Sequence, residues 1–429
     1  MAATVNASRD AELSLFNLLN PEVVANPYPL FKRLREEDPV HWDPYLHTWV
    51  VTRYADVSSV LYGMSANRTP TPDQLKDKGL EQLAPLAQLM VRLMLFMDPP
   101  DHTRLRGLAA KAFTPHRGEK LRGYVQDLVN SLLDKVEASG RMDVITDLGI
   151  PVPALVTGEL LGVPHQDVAQ LKQWSSDFSE MLGNFQHNPD RTGLMLETAK
   201  GMTTYFADCV QRLRENPPSS GREGLVQSLM SAEIDGDRLT TDEVVASTIV
   251  TMLGGMETTT NLIANGVLSL TRHRDQEEKL RSNMKLMPSA IEEMLRFEPP
   301  SQHTARLAPE DTEIGGKVIR KRQAVMAVMA AGNRDPERFP HPDVFDIERK
   351  DNRHLAFGWA QHFCFGAPLA RLEGQIAMET LLNRFENIQV DPVPLTWRTN
   401  SGLRGLTSLP ITFNRAEKVS VTVVADVLV

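Results

Sequence analysis

The pattern of apolar and polar residues is helical along most of the chain. Apolar residues recur at helical spacing over residues 101–163 and again over 166–215. The clearest segment follows Thr240, where Thr240 and Glu243 match a capping box and the apolar pattern continues to about Arg272. Because this helix of ~30 residues is apolar on nearly every face, we expect it to pass through the interior.

Strand signals are concentrated near the N-terminal end. Residues 40–42 and 49–52 predict paired strands around a turn, between helices over 27–37 and 55–61. The next segment, 63–96, carries several prolines and is expected to be an irregular loop. No repeat or linker separates independent domains, so the sequence predicts one mainly α domain with a smaller β region (α+β).

This domain is expected to cover residues 1–429, with residues 1–25 as an N-terminal extension. The composition, 41% hydrophobic and 24% charged, is typical of a soluble globular protein. The sequence contains no run of ~20 apolar residues that would indicate a membrane anchor. A net charge of −9 argues against nucleic acid as a partner. Only Cys209 and Cys364 are present, so we expect no disulfide framework and a reducing, cytoplasmic location.

Cys364 lies in a glycine-bearing loop just ahead of a predicted helix that begins near Pro368. A helix N-terminus favours an anion, so this position should bias the thiol toward thiolate, the form that binds metals. Phe357, Trp359 and Phe363 are expected to surround it with a dry shell. On these grounds alone, a buried and unreactive cysteine is the commoner outcome.

The long helix contains an unusual polar stretch, Gly254-Gly-Met-Glu257-Thr258. Adjacent glycines weaken a helix by ~1 kcal/mol each relative to alanine. An acid and a hydroxyl in a buried helix are costly unless they are used or satisfied. A break in the helix, with threonine capping, is the alternative.

Two further groups of charges stand out. Glu293 and Arg296 are three residues apart on a helix predicted over 289–297, a spacing that by itself indicates a surface ion pair. Residues 102–122 carry six Lys or Arg and one Glu. By itself, that stretch predicts either a positive patch or an ordinary solvated face.

Together these segments resemble the cytochrome P-450 family. Phe357, His362, Cys364 and Gly366 match its haem-ligand loop, with Ala360 in the place of the first glycine. An alanine there would strain the loop if the position needs a positive φ. The proximal-helix, acid–alcohol, Glu-x-x-Arg and cysteine segments also occur in the family's order. The resemblance implies the cytochrome P-450 fold, a triangular helix-rich body with a long central helix over the haem.

The resemblance also implies roles for single residues. Cys364 would be the axial ligand of the iron of haem b, Thr258 would hold dioxygen, and Glu257 would deliver protons. The other residues expected to bind the haem are His102, Arg106, Gly254, Gly255, Arg306, Phe357, His362 and Gly366. The expected structural triad consists of Glu293, Arg296 and Arg338. The residues expected to line the substrate pocket are Met90, Met94, Phe178, Leu182, Val250, Leu253, Gln302, Thr304 and Leu403.

The implied protein is a bacterial-type haem-thiolate monooxygenase that uses O2 as co-substrate. It would hydroxylate or epoxidise an apolar small organic molecule in secondary metabolism or catabolism. The chain shows no nicotinamide-binding motif and has no room for a flavin or reductase domain, so electrons would come from a separate ferredoxin and ferredoxin reductase. An acidic ferredoxin would dock around Arg104, Lys111 and Arg117. We expect a monomer without nucleic-acid or membrane partners.

Three other functions compete with that of a monooxygenase. Glu257 and Thr258 argue against a related protein that uses peroxide in place of dioxygen. An oxidase that couples or desaturates its substrate without inserting oxygen is compatible with the sequence. A non-catalytic haem sensor is the alternative from a different class.

Overall fold

A helix of 32 residues, Thr241–Arg272, is surrounded by other helices and organises the fold. The structure, a computed structural model, describes residues 7–183, 189–217 and 223–416. In chain order the helices are α1 (Ala7–Leu13), α2 (Pro21–Ala25), α3 (Tyr28–Glu37), α4 (Tyr54–Gly63), α5 (Pro72–Asp77), α6 (Ala84–Met90), α7 (Asp101–Ala112), α8 (Pro115–Lys120), α9 (Arg122–Glu137), α10 (Pro151–Leu161), α11 (Val168–Gly183), α12 (Thr192–Glu215), α13 (Leu225–Ser231), α14 (Thr241–Arg272), α15 (Arg274–Ser282), α16 (Met287–Phe297), α17 (Met329–Gly332) and α18 (Ala367–Arg384).

The prediction for α14 is confirmed at both ends. Thr240 Oγ1 accepts a hydrogen bond from the backbone N–H of Glu243, and the Glu243 carboxylate accepts one from the N–H of Thr240. The helix is buried on most of its faces and packs against α10, α11, α12 and α18. It therefore runs through the interior without a break at its polar stretch.

The strands form a smaller β region. They are β1 (Val40–Asp43), β2 (Thr48–Val51), β3 (Arg141–Asp143), β4 (Glu233–Ile234), β5 (Asp237–Arg238), β6 (Thr304–Leu307), β7 (Thr312–Ile314), β8 (Lys317–Ile319), β9 (Ala324–Ala327), β10 (Phe385–Val390) and β11 (Pro410–Arg415). The largest sheet has the order β1-β2-β9-β6. Its β1/β2 hairpin, with Val40 opposite Val51, confirms the predicted pair. Strand β9 runs parallel to β2 and antiparallel to β6, which brings β6 to the edge of the sheet.

One expectation about the N-terminal part needs correction. The segment 63–96 is not irregular throughout, since α5 begins at a capping box between Thr71 and Gln74 and α6 follows it. Residues 7–25 fold onto the main body: Leu15 is fully buried, and the Ser14 hydroxyl donates to the carboxylate of Asp43 at 2.8 Å. Among the described residues, no helix has both the length and the apolar character needed to cross a bilayer.

Candidate haem-thiolate active site

The cysteine loop is fixed by its backbone and ends at the start of α18. The N–H of Cys364 donates to the carbonyl of Phe357 at 2.7 Å, which closes the loop on itself. Burial raises the pKa of the Cys364 thiol, while the N–H groups of Gly366 and Ala367 and the charge of Arg106 only partly offset that effect. Desolvation by the surrounding chain therefore opposes the effect of the helix end on Cys364, which the sequence alone did not reveal.

Ala360 adopts the backbone conformation that a glycine would adopt more easily. Its φ is +55°, and it opens a short turn over Ala360–His362. A left-handed conformation costs a residue with a Cβ roughly 1–2 kcal/mol. The departure from the family pattern at this position therefore introduces local strain two residues ahead of His362.

A cavity of about 710 Å³ lies between α14 and the cysteine loop. Cys364 forms one part of its wall and Thr258 another. The other predicted site residues on this wall are Met90, Met94, His102, Arg106, Leu182, Val250, Leu253, Gly254, Gly255, Thr304, Arg306, Phe357, His362, Gly366 and Leu403. The structure thus brings together residues from seven widely separated segments of the sequence.

Phe178 and Gln302 do not line this cavity. Phe178 is fully buried in the core, and its neighbours on α11, Ser179 and Leu182, face the cavity. The Gln302 side chain donates to the carbonyl of Pro299 at 2.6 Å. Both predictions were wrong because they assigned a whole segment to the pocket, whereas only one face of a helix or strand reaches it.

The cavity wall carries basic side chains that form no ion pair with an acid of the described residues, although the charge of Asp98 acts on His102, Arg306 and His362 from a distance. Neither nitrogen of His102 has a hydrogen-bond partner, and the same is true of His362 Nε2 and Arg306 Nε. Burial lowers the pKa of Arg306 to about 10. The pKa of His362 falls to about 3 through burial and the nearby His102 and Arg306. Such groups are stable inside a protein only when anions meet them, so this wall fits the two carboxylates of a haem.

Thr258 faces the cavity, whereas Glu257 faces away from it. The Thr258 hydroxyl donates to the carbonyl of Gly254 at 2.9 Å, which leaves its oxygen able to accept a hydrogen bond from a bound group. A Cβ added to Gly254 would meet no atom within 4 Å, whereas one added to Gly255 would lie 2.7 Å from Thr157 Oγ1. Gly254 therefore leaves space on the cavity wall, and Gly255 allows α10 to pack closely against α14.

Glu257 is the centre of a buried ion cluster that the sequence did not predict. Its carboxylate binds Lys172, Arg398 and the Ser176 hydroxyl, the last at 2.7 Å. Burial by itself would raise the pKa of Glu257, but the two cations and the hydroxyl outweigh it and hold that pKa below its ordinary value. Arg398 also pairs with Glu180 at 3.2 Å.

The structural triad has a different third member from the one predicted. Arg296 makes two hydrogen bonds of 2.8 Å to the Glu293 carboxylate, and both side chains are fully buried. Arg349 completes the group, with its Nε 3.2 Å from Glu293 Oε2. Arg338 instead pairs with Asp351, which is largely exposed, at 2.8 and 2.9 Å. Arg349 lies in a loop with no helical or strand pattern, so the sequence offered no signal for it.

Comparisons with known proteins agree with this geometry. The cytochrome P-450 family model matches residues 81–410. The biotin biosynthesis cytochrome P-450 of Bacillus subtilis (strain 168) is 36% identical over 395 residues, which cover 91% of this chain and 97% of the relative. The cytochrome P-450 monooxygenase PikC of Streptomyces venezuelae is 38% identical over 410 residues, covering 93% of this chain and 94% of PikC.

A solved structure is similarly close. BioI in complex with an acyl carrier protein ligated to hexadec-9Z-enoic acid superposes with a TM-score of 0.85 at 35% identity, covering 92% of this chain and 99% of BioI. The fold and site define a haem-thiolate protein. The chain belongs to the cytochrome P-450 family and is a monooxygenase with haem b as cofactor and O2 as co-substrate.

Proposed function

We propose that this monooxygenase hydroxylates or epoxidises an apolar small organic molecule in bacterial secondary metabolism or catabolism. The observation that carries this proposal is the cavity itself, which extends from Cys364 to a wall made mainly of apolar side chains. That wall includes Met90, Met94, Leu182 and Leu253. Pockets of this size and character bind small molecules whose surface is mostly apolar.

The haem is held by residues of this chain in the proposed site. Cys364 would provide the sulfur ligand of the iron, and His102, Arg106, Arg306 and His362 would provide donors to the two haem carboxylates. When bound, the haem supplies a redox-active iron at which O2 is reduced and one oxygen atom is transferred to the substrate. The surrounding apolar wall excludes water, which strengthens every polar interaction inside.

Thr258 and Glu257 divide the proton-handling role between them in this proposal. The Thr258 hydroxyl lies on the cavity wall and can position a hydrogen-bonding group there. Glu257, Lys172 and Arg398 form a chain of charged groups beside it, and the Lys172 side chain is 15% exposed to solvent. This chain supports a path by which protons reach the cavity without opening it to bulk water.

Thr258→Ala tests this role. The variant should still bind haem but divert electrons from product to peroxide, because the group that positions the oxygen and its protons has been removed. Thr258→Ser keeps the hydroxyl and should remain close to the native protein. The measurement is the ratio of product formed to reductant consumed; an unchanged ratio in Thr258→Ala would refute the role.

Thiolate ligation is tested separately. Cys364→His should abolish the red-shifted absorption band of the reduced carbon monoxide complex, since that band depends on a sulfur ligand. If the band persists in this variant, Cys364 is not the ligand.

The substrate and reaction type are best approached with the ferric protein. Spectral titration against polyketide-, terpene- and fatty-acid-type compounds finds those that reach the iron. Turnover of a bound compound under ¹⁸O₂ should place one labelled oxygen atom in the product. A product that carries no label would favour coupling or desaturation, and no turnover with any donor would favour a sensor.

Electrons come, in our proposal, from a ferredoxin and its reductase in the cytosol. The predicted docking patch is weaker than expected, because Arg104 is paired with Asp237 at 2.7 Å and with Glu243 at 2.6 Å. Lys111 and Lys120 remain exposed on α7 and α8. Replacing both by Glu should slow reduction by ferredoxin and reduce its salt dependence, while reduction by dithionite stays unchanged. If ferredoxin reduces the native protein and the double variant at equal rates, Lys111 and Lys120 are not part of the docking surface.

A further inference from the structure

Arg68 lies on the cavity wall, at a position that the family motifs do not cover. Its segment is fastened to β6, since Ser65 and Leu307 exchange two backbone hydrogen bonds of 2.9 Å. Asp98 holds the same segment from the other side by accepting from the Ser65 hydroxyl and, at 2.8 Å, from the N–H of Ala66. Because β6 also carries Arg306, these contacts place two arginines on the same part of the wall.

The Arg68 guanidinium has polar and aromatic neighbours but no acidic one. It donates to the carbonyl of Ala66 at 3.0 Å, and its central carbon lies 4.4 Å from the ring centroid of Phe96. Within the described part of the chain, no carboxylate forms an ion pair with Arg68 or Arg306. Burial and the charge of Arg306 lower the pKa of Arg68 to about 9, so it is still a cation at neutral pH.

Two arginines in the interior, Arg404 and Arg296, have acidic partners. Arg404 pairs with Glu298 at 2.7 Å and Arg296 pairs with Glu293 at 2.8 Å. The acid on the cavity wall, Glu373, forms no ion pair with Arg68, and burial raises the pKa of Glu373 well above its ordinary value. A guanidinium that faces a cavity without a counter-charge is an anion-binding group.

We propose that Arg68 binds a carboxylate inside the cavity, beside Arg306. The planar guanidinium suits a carboxylate, which it can bind through two parallel hydrogen bonds. The carboxylate has two possible sources, a haem propionate or an acidic end group of the substrate. The cavity wall presents three guanidinium groups, of Arg68, Arg106 and Arg306, among the described residues, whereas haem b brings two carboxylates.

The two sources have different consequences. If Arg68 binds a propionate, it helps to retain the cofactor. If it binds the substrate, it selects molecules with an acid at one end and an apolar body that extends along Met90 and Met94. The inference rests on haem occupying this cavity, which the carbon monoxide spectrum establishes independently of Arg68.

The test uses the haem-loaded protein with Arg68→Gln and Arg68→Lys. Arg92→Gln is the matched control, because Arg92 is an exposed arginine of the same region that pairs with Asp242 at 2.9 Å. One measurement is the rate of haem transfer to excess apomyoglobin. The other is the dissociation constant of hexadecanoic acid, compared with that of hexadecan-1-ol, from the ferric spectrum.

A propionate contact predicts haem loss about tenfold or more faster in Arg68→Gln, as expected for a lost charge-assisted pair. A substrate contact predicts that the acid binds about tenfold or more weakly while the alcohol binds as before. Arg68→Lys keeps the charge and should fall between the native protein and Arg68→Gln, and it takes over the test if Arg68→Gln does not fold. If hexadecanoic acid does not change the ferric spectrum of the native protein, the rate of haem loss alone tests the proposal. The proposal would be overturned if Arg68→Gln and Arg92→Gln differed by less than about twofold both in the rate of haem loss and in the dissociation constant of hexadecanoic acid.

Discussion

Two sets of buried or half-buried ionisable groups in this protein differ in whether the chain itself supplies their partners. In the paired set, Glu257 meets Lys172 and Arg398, and Glu293 meets Arg296 and Arg349. In the open set, which consists of Arg68, His102, Arg306 and His362, no described acid forms an ion pair with any member. All four members of the open set line the cavity, and the six charged groups of the paired set do not.

The difference has a simple energetic meaning. A buried charge loses its hydration, and only an opposite charge with good hydrogen bonds restores that loss. The paired set is complete within the protein, so its charges need no ligand. The Glu293 group fixes the positions of helices and loops, and the Glu257 group carries the proposed proton path. The open set is complete only when an anionic ligand is present, so it identifies a binding site.

The largest expected effect comes from breaking the paired set. Arg296→Gln should lower the free energy of unfolding by roughly 3–5 kcal/mol, because it leaves Glu293 buried without its main partner. The measurement is urea denaturation of the haem-loaded protein at pH 7.

Arg338→Gln is the control for that prediction. Its partner Asp351 is exposed, so the loss should stay below about 1 kcal/mol. If Arg338→Gln were as damaging as Arg349→Gln, the assignment of Arg349 to the triad would be wrong.

The stability contributed by Glu292, another carboxylate with basic partners, is expected to depend on pH. Glu292 accepts hydrogen bonds from Arg371 at 2.7 and 2.8 Å and lies 3.2 Å from His354. Burial would raise its pKa, but these partners outweigh burial and lower the pKa of Glu292 to about 2. Since the folded pKa is depressed, the contribution is present above the unfolded pKa and is lost as the pH falls toward 2.

Glu292→Gln should therefore cost roughly 1–3 kcal/mol at pH 7. The difference from the native protein should shrink as the pH falls from about 4.5 toward 2, because the Glu292 carboxylate then becomes protonated in the unfolded chain while it is still ionised in the folded protein. Unfolding curves at pH 7 and near pH 3 measure this change. A difference that is the same at both pH values would show that the charge of Glu292 does not stabilise the fold.

Two adjacent glycines of α14, Gly254 and Gly255, sharpen the contrast between open space and close packing along the cavity wall. Gly255→Ala should destabilise the protein by about 1–2 kcal/mol, because the overpacking against Thr157 exceeds the gain in helix propensity. Adding Thr157→Ala should relieve most of this cost. Thermal unfolding of the single and double variants measures both effects.

Gly254→Ala should behave in the opposite way. It gains up to ~1 kcal/mol of helix propensity and meets no protein atom, so the fold should be unharmed. Its methyl group enters the cavity, so binding of haem or substrate should weaken. Equal losses of stability in the two alanine variants would contradict the distinction between the two positions.

The smallest expected effect is at Ala360. Ala360→Gly should stabilise the cysteine loop by roughly 0.5–1 kcal/mol, because glycine adopts a positive φ without strain but has more entropy to lose on folding. Gly358, at φ +71°, provides the reverse control, since Gly358→Ala should destabilise. The unfolding midpoints of Ala360→Gly and Gly358→Ala measure both effects. If the two midpoints shift in the same direction, Ala360 is not strained.

The sequence predicted those parts of the site that have a local sequence pattern. The capping box at Thr240, the polar stretch in α14 and the cysteine loop each have a local signature, and they meet in space as expected. Arg68 and Arg349 were missed because each lies in a loop without a pattern and acquires its role from residues distant in the sequence.

The remaining errors have a similar origin. Phe178 and Gln302 were assigned to the pocket by segment. Only the structure shows that Phe178 is buried in the core and that Gln302, which lies just before β6, bonds to Pro299. The effect of burial on the pKa of Cys364 was also missed, because the helix end is a local feature, whereas desolvation depends on the whole surrounding fold.

The most direct test of the contrast between the two sets compares Arg306→Gln with Arg349→Gln. The measurement is the rate of haem transfer from each protein to excess apomyoglobin at neutral pH without denaturant. Arg306 belongs to the open set, so its loss should accelerate haem release about tenfold or more. Arg349 belongs to the paired set, so its loss should leave the rate within about threefold of the native value. Haem release that is unchanged in Arg306→Gln, or faster in Arg349→Gln than in Arg306→Gln, would contradict the account.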